Sequence, residues 1–120
     1  MLTRRQVAAL GEKAAAEYLK GLGFAIRETN FRCPQGEIDI IAEHDAHLVF
    51  VEVRTRRSSA LGTPEESITA AKKAKLIDLA HIYIQTHDDP HRPWRIDVVA
   101  VELKPDGRVT RMELIENAVN

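Results

Sequence analysis

A single cysteine, Cys33, excludes an internal disulfide, and a reducing cytoplasm is the simplest expected setting for the chain. No stretch approaches the ~18 consecutive apolar residues of a membrane helix, so no membrane partner is expected. The opening Met1-Leu2-Thr3-Arg4-Arg5 leads into alanine-rich, charge-bearing sequence, not a continuous apolar core, and so does not read as a signal peptide. Internal repeats and low-complexity tracts are also missing. Excess charge is missing too: the net charge of −1 argues against a protein that coats nucleic acid through bulk charge.

What remains is an ordinary globular composition. The 120 residues are 44% hydrophobic and 29% charged, which suits a single domain over 1–120 with a core that needs no staples. The charge is unevenly placed. Between Arg54 and Lys75 lie Arg54, Arg56, Arg57, Lys72, Lys73 and Lys75, against Glu65 and Glu66. Such a run is either a patch that steers a polyanion or a solvated helix face.

Periodicity predicts a first helix from about Thr3 to Leu22. Thr3 and Gln6 form its capping box, Val7, Leu10, Ala14, Tyr18 and Leu22 form its inner face, and Gly21 and Gly23 stop it. Phe24 to Phe31 reads as a strand, followed by a turn at Cys33-Pro34-Gln35-Gly36. Two more strands follow, about Glu37 to Glu43 and Leu48 to Arg54. Thr63, Pro64 and Glu66 give a strong helix start, and Ile68, Ala71, Leu76, Leu79, Ala80 and Tyr83 give that helix a buried stripe. A loop from Gln85 to Pro93 leads to strands from Trp94 to Leu103 and Val109 to Leu114, the latter after a Pro105-Asp106-Gly107 turn. The order αβββαββ implies an α/β fold, a mixed central sheet flanked by helices.

The second and third strands carry the informative residues. Ile38, Ile40 and Ala42 should share one face, as should Val49, Val51 and Val53, and both sets should point into one core. With a four-residue loop over His44 to His47, Asp39 then faces Glu52 and Glu37 faces Arg54 on the second face. Like charges directly opposite destabilise a sheet. Open solvent, a shared proton or a divalent cation could compensate, magnesium being suited to a few carboxylate oxygens. On a wet face, Glu37 and Arg54 would form a cross-strand pair.

The blocks Gly36-Glu37-Ile38-Asp39-Ile40-Ile41 and Val49-Phe50-Val51-Glu52-Val53-Arg54-Thr55-Arg56 resemble the YraN-like family of small bacterial proteins, a branch of the restriction-endonuclease-like PD-(D/E)XK nuclease superfamily similar in layout to archaeal Holliday-junction resolvases. Gly11-Glu12, Asn30-Phe31-Arg32, Gly62, Pro64, Lys72, Arg95-Ile96-Asp97-Val98-Val99 and Glu116-Asn117-Ala118 extend the resemblance over nearly the whole chain. It implies a restriction-endonuclease-like fold and a Mg2+ or Mn2+ ion held by Asp39, Glu52 and the Val53 backbone carbonyl, with Glu12 of the first helix as a further ligand. Ile38 stands where the motif has proline, and Arg54 where it has lysine. Arginine clamps phosphate but keeps its proton, so Lys72 is the candidate for the lysine role. Asp39, Glu52, Arg54, Lys72 and Glu12 thus form the expected catalytic set. Arg54, Arg56, Arg57, Lys72, Lys73 and Lys75 form the expected nucleic-acid contacts. The resolvase analogy implies a homodimer.

Other motifs carry less. His87 and His91 are separated by Asp88-Asp89-Pro90, which cannot be helical, so they share no helix face. Cys33 lacks an evident base. Asp97 is expected to be structural, near Arg95, and Trp94 to be a core or rim residue. The leading expectation is therefore a metal-dependent endonuclease hydrolysing phosphodiester bonds in DNA, including branched or structured DNA. The alternative is a nucleic-acid-binding module that keeps the fold without useful catalysis, and a third reading is a protein-interaction adaptor.

Overall fold

Asp45 and Ala46 both adopt a left-handed φ, 49° and 66°. Two such residues make a turn whose twist matches that of the strands it joins. In the computed structural model, which describes residues 2–57, 62–87 and 91–118, this turn joins β2 (Gly36–His44) to β3 (His47–Arg56). The loop is two residues, not the expected four, because His44 pairs with His47. The register is nevertheless the expected one: Glu43 faces Leu48 and Ile41 faces Phe50. Shortening the loop by one residue at each end leaves every pair in place.

The element order is α1 (Arg4–Gly21), β1 (Ala25–Cys33), β2, β3, a 3-10 turn (Glu65–Ser67), α2 (Ala70–His87), β4 (Trp94–Leu103) and β5 (Val109–Ile115). The sheet runs β1-β2-β3-β4-β5. Only β3 and β4 are parallel, and α2 is the crossover between them. This is the mixed α/β sheet with flanking helices of the restriction-endonuclease-like topology.

Each helix covers one face. Val7, Ala15 and Leu19 of α1 pack on Ile40, Ala42, Val49, Val51, Val99 and Val101. Leu76, Leu79, Ala80 and Tyr83 of α2 pack on Ile38, Ile41, Leu48, Phe50 and Ile96. The second face of the hairpin is therefore no open wet surface, and its polar residues gather only beyond Phe50. Asp97 is fully buried in β4, where Arg95 Nε lies 3.0 Å from Oδ1 and the Asn117 N–H donates to the same oxygen at 2.9 Å. Its role is structural, as expected.

Both helices depart from the expected pattern. Leu10 and Leu22 are 39% and 46% exposed, and the buried stripe of α1 is Val7, Gly11, Ala15 and Leu19. Gly11 turns inward because α1 crosses β3 very closely there: a Cβ on Gly11 would fall 1.9 Å from Thr55 Oγ1. A reading that ranks large apolar side chains first assigns the face to the wrong residues. In the second helical region, Thr63 and Glu66 do bond reciprocally, the Thr63 N–H donating to Glu66 Oε1 at 2.7 Å and the Glu66 N–H to Thr63 Oγ1 at 3.4 Å. That box caps only the 3-10 turn, because Ile68 is extended (φ −81°, ψ 116°). The true cap of α2 is Thr69, whose Oγ1 accepts from the Lys72 N–H at 3.1 Å. Ala71 is accordingly exposed, and α2 runs on to His87, into the stretch expected to be a loop. Residues 88–90, between the two histidines, lie outside the described residues.

The Gly11 contact makes a prediction. Gly11→Ala should destabilise the protein by about 1–3 kcal/mol through overpacking. In a Thr55→Ala background the same change should cost clearly less, measured by urea denaturation as a double-mutant cycle. Equal losses in both backgrounds would show that the close approach does not exist.

Candidate functional site

Pairing between β2 and β3 ends at Ile40 and Val51. One step further along the same register stand Asp39 and Glu52. On its other side, β2 pairs Ile40 with Thr29 and Ile38 with Phe31, while Asn30, opposite Asp39, holds a left-handed φ of 53°. Asp39 thus sits where the ladder changes character. Its carboxylate Oδ2 accepts the Val53 N–H at 2.9 Å, taking the place of a main-chain acceptor.

This substitution breaks the alternation of β2. Ile40 and Ala42 face the α1 cluster, but Ile38 belongs to the α2 cluster. The expectation that Ile38, Ile40 and Ala42 share a face is therefore corrected, because strict alternation requires an unbroken ladder. The expected Glu37–Arg54 pair is also replaced. Glu37 lies 3.2 Å from Arg32 across β1, and Arg54 Nη2 lies 3.0 Å from Glu52 Oε2.

Glu52 is 5% exposed. Its carboxyl and that of Asp39 interact strongly, and their mutual charge disfavours the doubly ionised state. Burial raises the Glu52 pKa to about 7, with the Asp39 charge adding to the rise. Lys72 and Arg54 pull the other way; Lys72 Nζ lies 3.7 Å from Glu52 Oε2. Desolvation outweighs the two cations, because both lie on one side of the pair and are themselves partly solvated. Asp39 is raised too, chiefly by burial, and the Val53 N–H bond offsets part of that. Glu12 of α1 is raised by its own burial and then by the Asp39 charge, while its hydrogen bond to Asn30 lowers it. Glu12 therefore faces the site. Among the described residues, however, no three His, Cys, Asp or Glu side chains form a metal-ligating group.

A cleft of about 760 Å3 lies between the first turns of α1 and the far end of β3; Asp39 and Glu52 do not line it, but Val53 and Arg54, which bond to them, do. Arg54, Arg56 and Arg57 line it, together with Glu12 and Val53. Arg57 also ties down the N-terminal segment, donating from Nη1 to the Leu2 carbonyl at 2.6 Å. The remaining expected cations separate. Lys72 reaches Glu52, Lys73 lines a different depression beside Glu65 and Val98, and Lys75 is exposed on α2. Arg4, which also lines the cleft, was missing from the expected set. Its only sequence signal is the Thr3 cap, which fixes it in the first turn of α1; its nearness to β3 is a tertiary fact.

Residues 11–101 match the model of a family described as "Uncharacterised protein family UPF0102". The chain is similar to a UPF0102 protein of Dehalococcoides mccartyi, 50% identical over 117 residues, covering 97% of this chain and 94% of that one. A UPF0102 protein of Symbiobacterium thermophilum is 49% identical over 114 residues, covering 95% and 96%. One of Moorella thermoacetica is 45% identical over 117 residues, covering 98% of each.

The raised carboxyl gives the site a pH signature. A carboxyl with a folded pKa above its unfolded value binds more protons in the folded state, so stability falls as pH rises between the two values. For Glu52 that window runs from 4.5 to about 7. Wild type should lose on the order of 1–3 kcal/mol across it, and Glu52→Gln should flatten the profile and be the more stable protein above pH ~8. Denaturant unfolding at a series of pH values reads this directly; a wild-type slope that persists in Glu52→Gln would assign the effect to another group.

Proposed function

We propose, for a chain that belongs to the UPF0102 family, the YraN-like branch of the PD-(D/E)XK nuclease superfamily, that it is a nucleic-acid-binding protein, with DNA as its partner, whose carboxylate pair takes a divalent cation beside the bound backbone. One observation carries the reading: the carboxyls of half-buried Asp39 and buried Glu52 are held by Val53 and Arg54, two residues that line a cleft with further arginines.

The donor set suits a hard cation. Magnesium uses one or two protein carboxylates and completes its shell with water and phosphate oxygens. Asp39 and Glu52 supply two such groups, and burial makes their joint ionisation unfavourable until a positive charge joins them. We assign the ion, Mg2+ or Mn2+, to these two residues, with the Val53 carbonyl as a further oxygen donor and Glu12, which forms no three-acid group with them, placed to bond the ion's water shell. When bound, such an ion polarises a phosphoryl oxygen and lowers the pKa of a coordinated water.

The rest is done by the chain. Arg54, held by Glu52, presents a permanent positive charge to phosphate. Arg56 and Arg57 extend that charge along the cleft and hold the backbone without reading sequence. In this reading Lys73 and Lys75 contribute at most to long-range attraction.

A second reading, phosphodiester hydrolysis, is favoured by the position of Lys72. The Thr69 cap fixes the start of α2 so that the Lys72 ammonium sits 3.7 Å from Glu52. Arg54 cannot shed a proton, whereas a lysine can when its surroundings depress its pKa. The two readings share Asp39 and separate at Lys72.

Branched, single-stranded and duplex DNA with Mn2+ test both. Wild type should bind at least one of these substrates. Asp39→Asn should keep binding within about threefold while lowering any cleavage by ~100-fold or more. Lys72→Met should lower cleavage and spare binding. Failure of wild type to bind any DNA would remove the proposal, and cleavage unchanged in Asp39→Asn would remove the site.

A further inference from the structure

The cleft has a property that the carboxylate pair does not explain. Nε of Arg54 and Nε of Arg56 are both buried, and neither finds a hydrogen-bond acceptor among the described residues. A buried charged donor without an acceptor leaves its desolvation uncompensated. Two such atoms, two residues apart on one strand, project to the same side.

The backbone beneath them is also open. β2 leaves β3 after Val51, while β3 stays paired with β4 as far as Arg56. Along this stretch one edge of β3 has no strand beside it among the described residues. Asp39 occupies the Val53 N–H on that edge. The Thr55 N–H, two residues on, points the same way.

The lining of the cleft states what it can recognise. Arg4 and Arg57 add two more cations, Val7 and Ala8 form a small apolar wall, and Glu12 is the only acid among the described residues that line it. Glu12 lies toward Asp39, so it turns an anion toward the arginine end. No aromatic ring is among the described residues that line it, so these offer bases no stacking platform. A volume of about 760 Å3 is that of a small-molecule site: room for a nucleotide or two of one strand, and far too little for a double helix.

We infer that this cleft seats the sugar–phosphate backbone of a single strand leading away from the carboxylate pair, with a phosphodiester held by the guanidinium groups of Arg54 and Arg56, whose Nε atoms gain an acceptor as the side chains turn toward it, and that it does so without reading bases. The inference rests on the nucleic-acid reading above and narrows it to an unpaired strand, such as an overhang, a flap or the arm of a branched molecule. A small free anion has the same oxygen chemistry, and the test separates the two sources.

The experiment uses the full chain in EDTA, so that nothing is cut, and follows fluorescence anisotropy of labelled oligonucleotides about a dozen nucleotides long. Oligothymidylate and an abasic strand of equal length should bind within about twofold of each other, and a blunt duplex roughly tenfold more weakly. Arg56→Gln should weaken strand binding by roughly tenfold and lower the salt slope by about 0.7, the value for one lost single-strand phosphate contact. Lys20→Gln, at the far end of α1, should change neither. If Arg56→Gln does not fold, as judged by circular dichroism, Arg4→Gln takes its place with the same expected direction. Loss of binding to the abasic strand, duplex binding as tight as strand binding, or cleft variants that behave like Lys20→Gln would overturn the inference while leaving the proposed function standing. Displacement of the strand by inorganic phosphate at ~1 mM would assign the cleft to a small anion and overturn it equally. If wild type binds no oligonucleotide at all, both fall.

Discussion

The hydrogen bond from the Val53 N–H to the Asp39 carboxylate is the joint on which this structure turns. Where a ladder ends, an exposed main-chain donor must find another acceptor. Here a side chain from the departing strand supplies it, so β2 can leave β3 without stranding the donor. Three consequences follow from that one bond. Asp39 is pinned between the strands and held against Glu52. The alternation of β2 is reset, which sends Ile38 under α2. The far end of β3 keeps its β4 partner but loses its β2 neighbour, and the vacated edge becomes the floor of a cleft lined by arginines.

The electrostatics follow from the same geometry. Two carboxyls brought together in a buried place cannot both ionise freely, and the cations near them are too few and too one-sided to reverse this. Burial and their mutual charge therefore raise both pKa values above the ordinary carboxylate range. A site of this kind gains most from a dication and least from a further lysine. Arginine at position 54 is consistent with that division of labour: it offers phosphate a fixed positive charge and leaves proton movement to another group. Lys72, brought over by the capped start of α2, is the one lysine among the described residues at salt-bridge distance from the pair. The proposed binding and hydrolysis thus draw on different residues of one site.

Much of this could be read from the sequence, and the exceptions have physical reasons. The Asp39–Glu52 register was legible because alternating apolar residues fix its parity and a short loop centred on Asp45 and Ala46 fixes the rest, whether it holds four residues or two. The element order and the mixed character of the sheet followed from the same periodicities. The inner face of α1 was misread because its deciding residue is Gly11, where the absence of a side chain permits the contact, and hydrophobic patterning gives an absent side chain no weight. The start of α2 was misplaced because two capping signals lie in series, Thr63 with Glu66 and then Thr69, and local sequence does not say which is followed by a full helix. The break in β2 at Asp39 was invisible because it depends on a side chain replacing a main-chain acceptor on a neighbouring strand. Arg4 was missed for a similar reason, since its approach to β3 is made by packing distant in sequence.

Calorimetric titration with Mn2+ at about pH 6, repeated in buffers of different ionisation enthalpy, probes the carboxylate pair most directly. One ion per chain should bind with release of close to one proton from the pair, and both binding and release should vanish in Asp39→Asn and Glu52→Gln. Binding without proton release, or binding that survives both substitutions, would contradict the assignment of the ion to this pair.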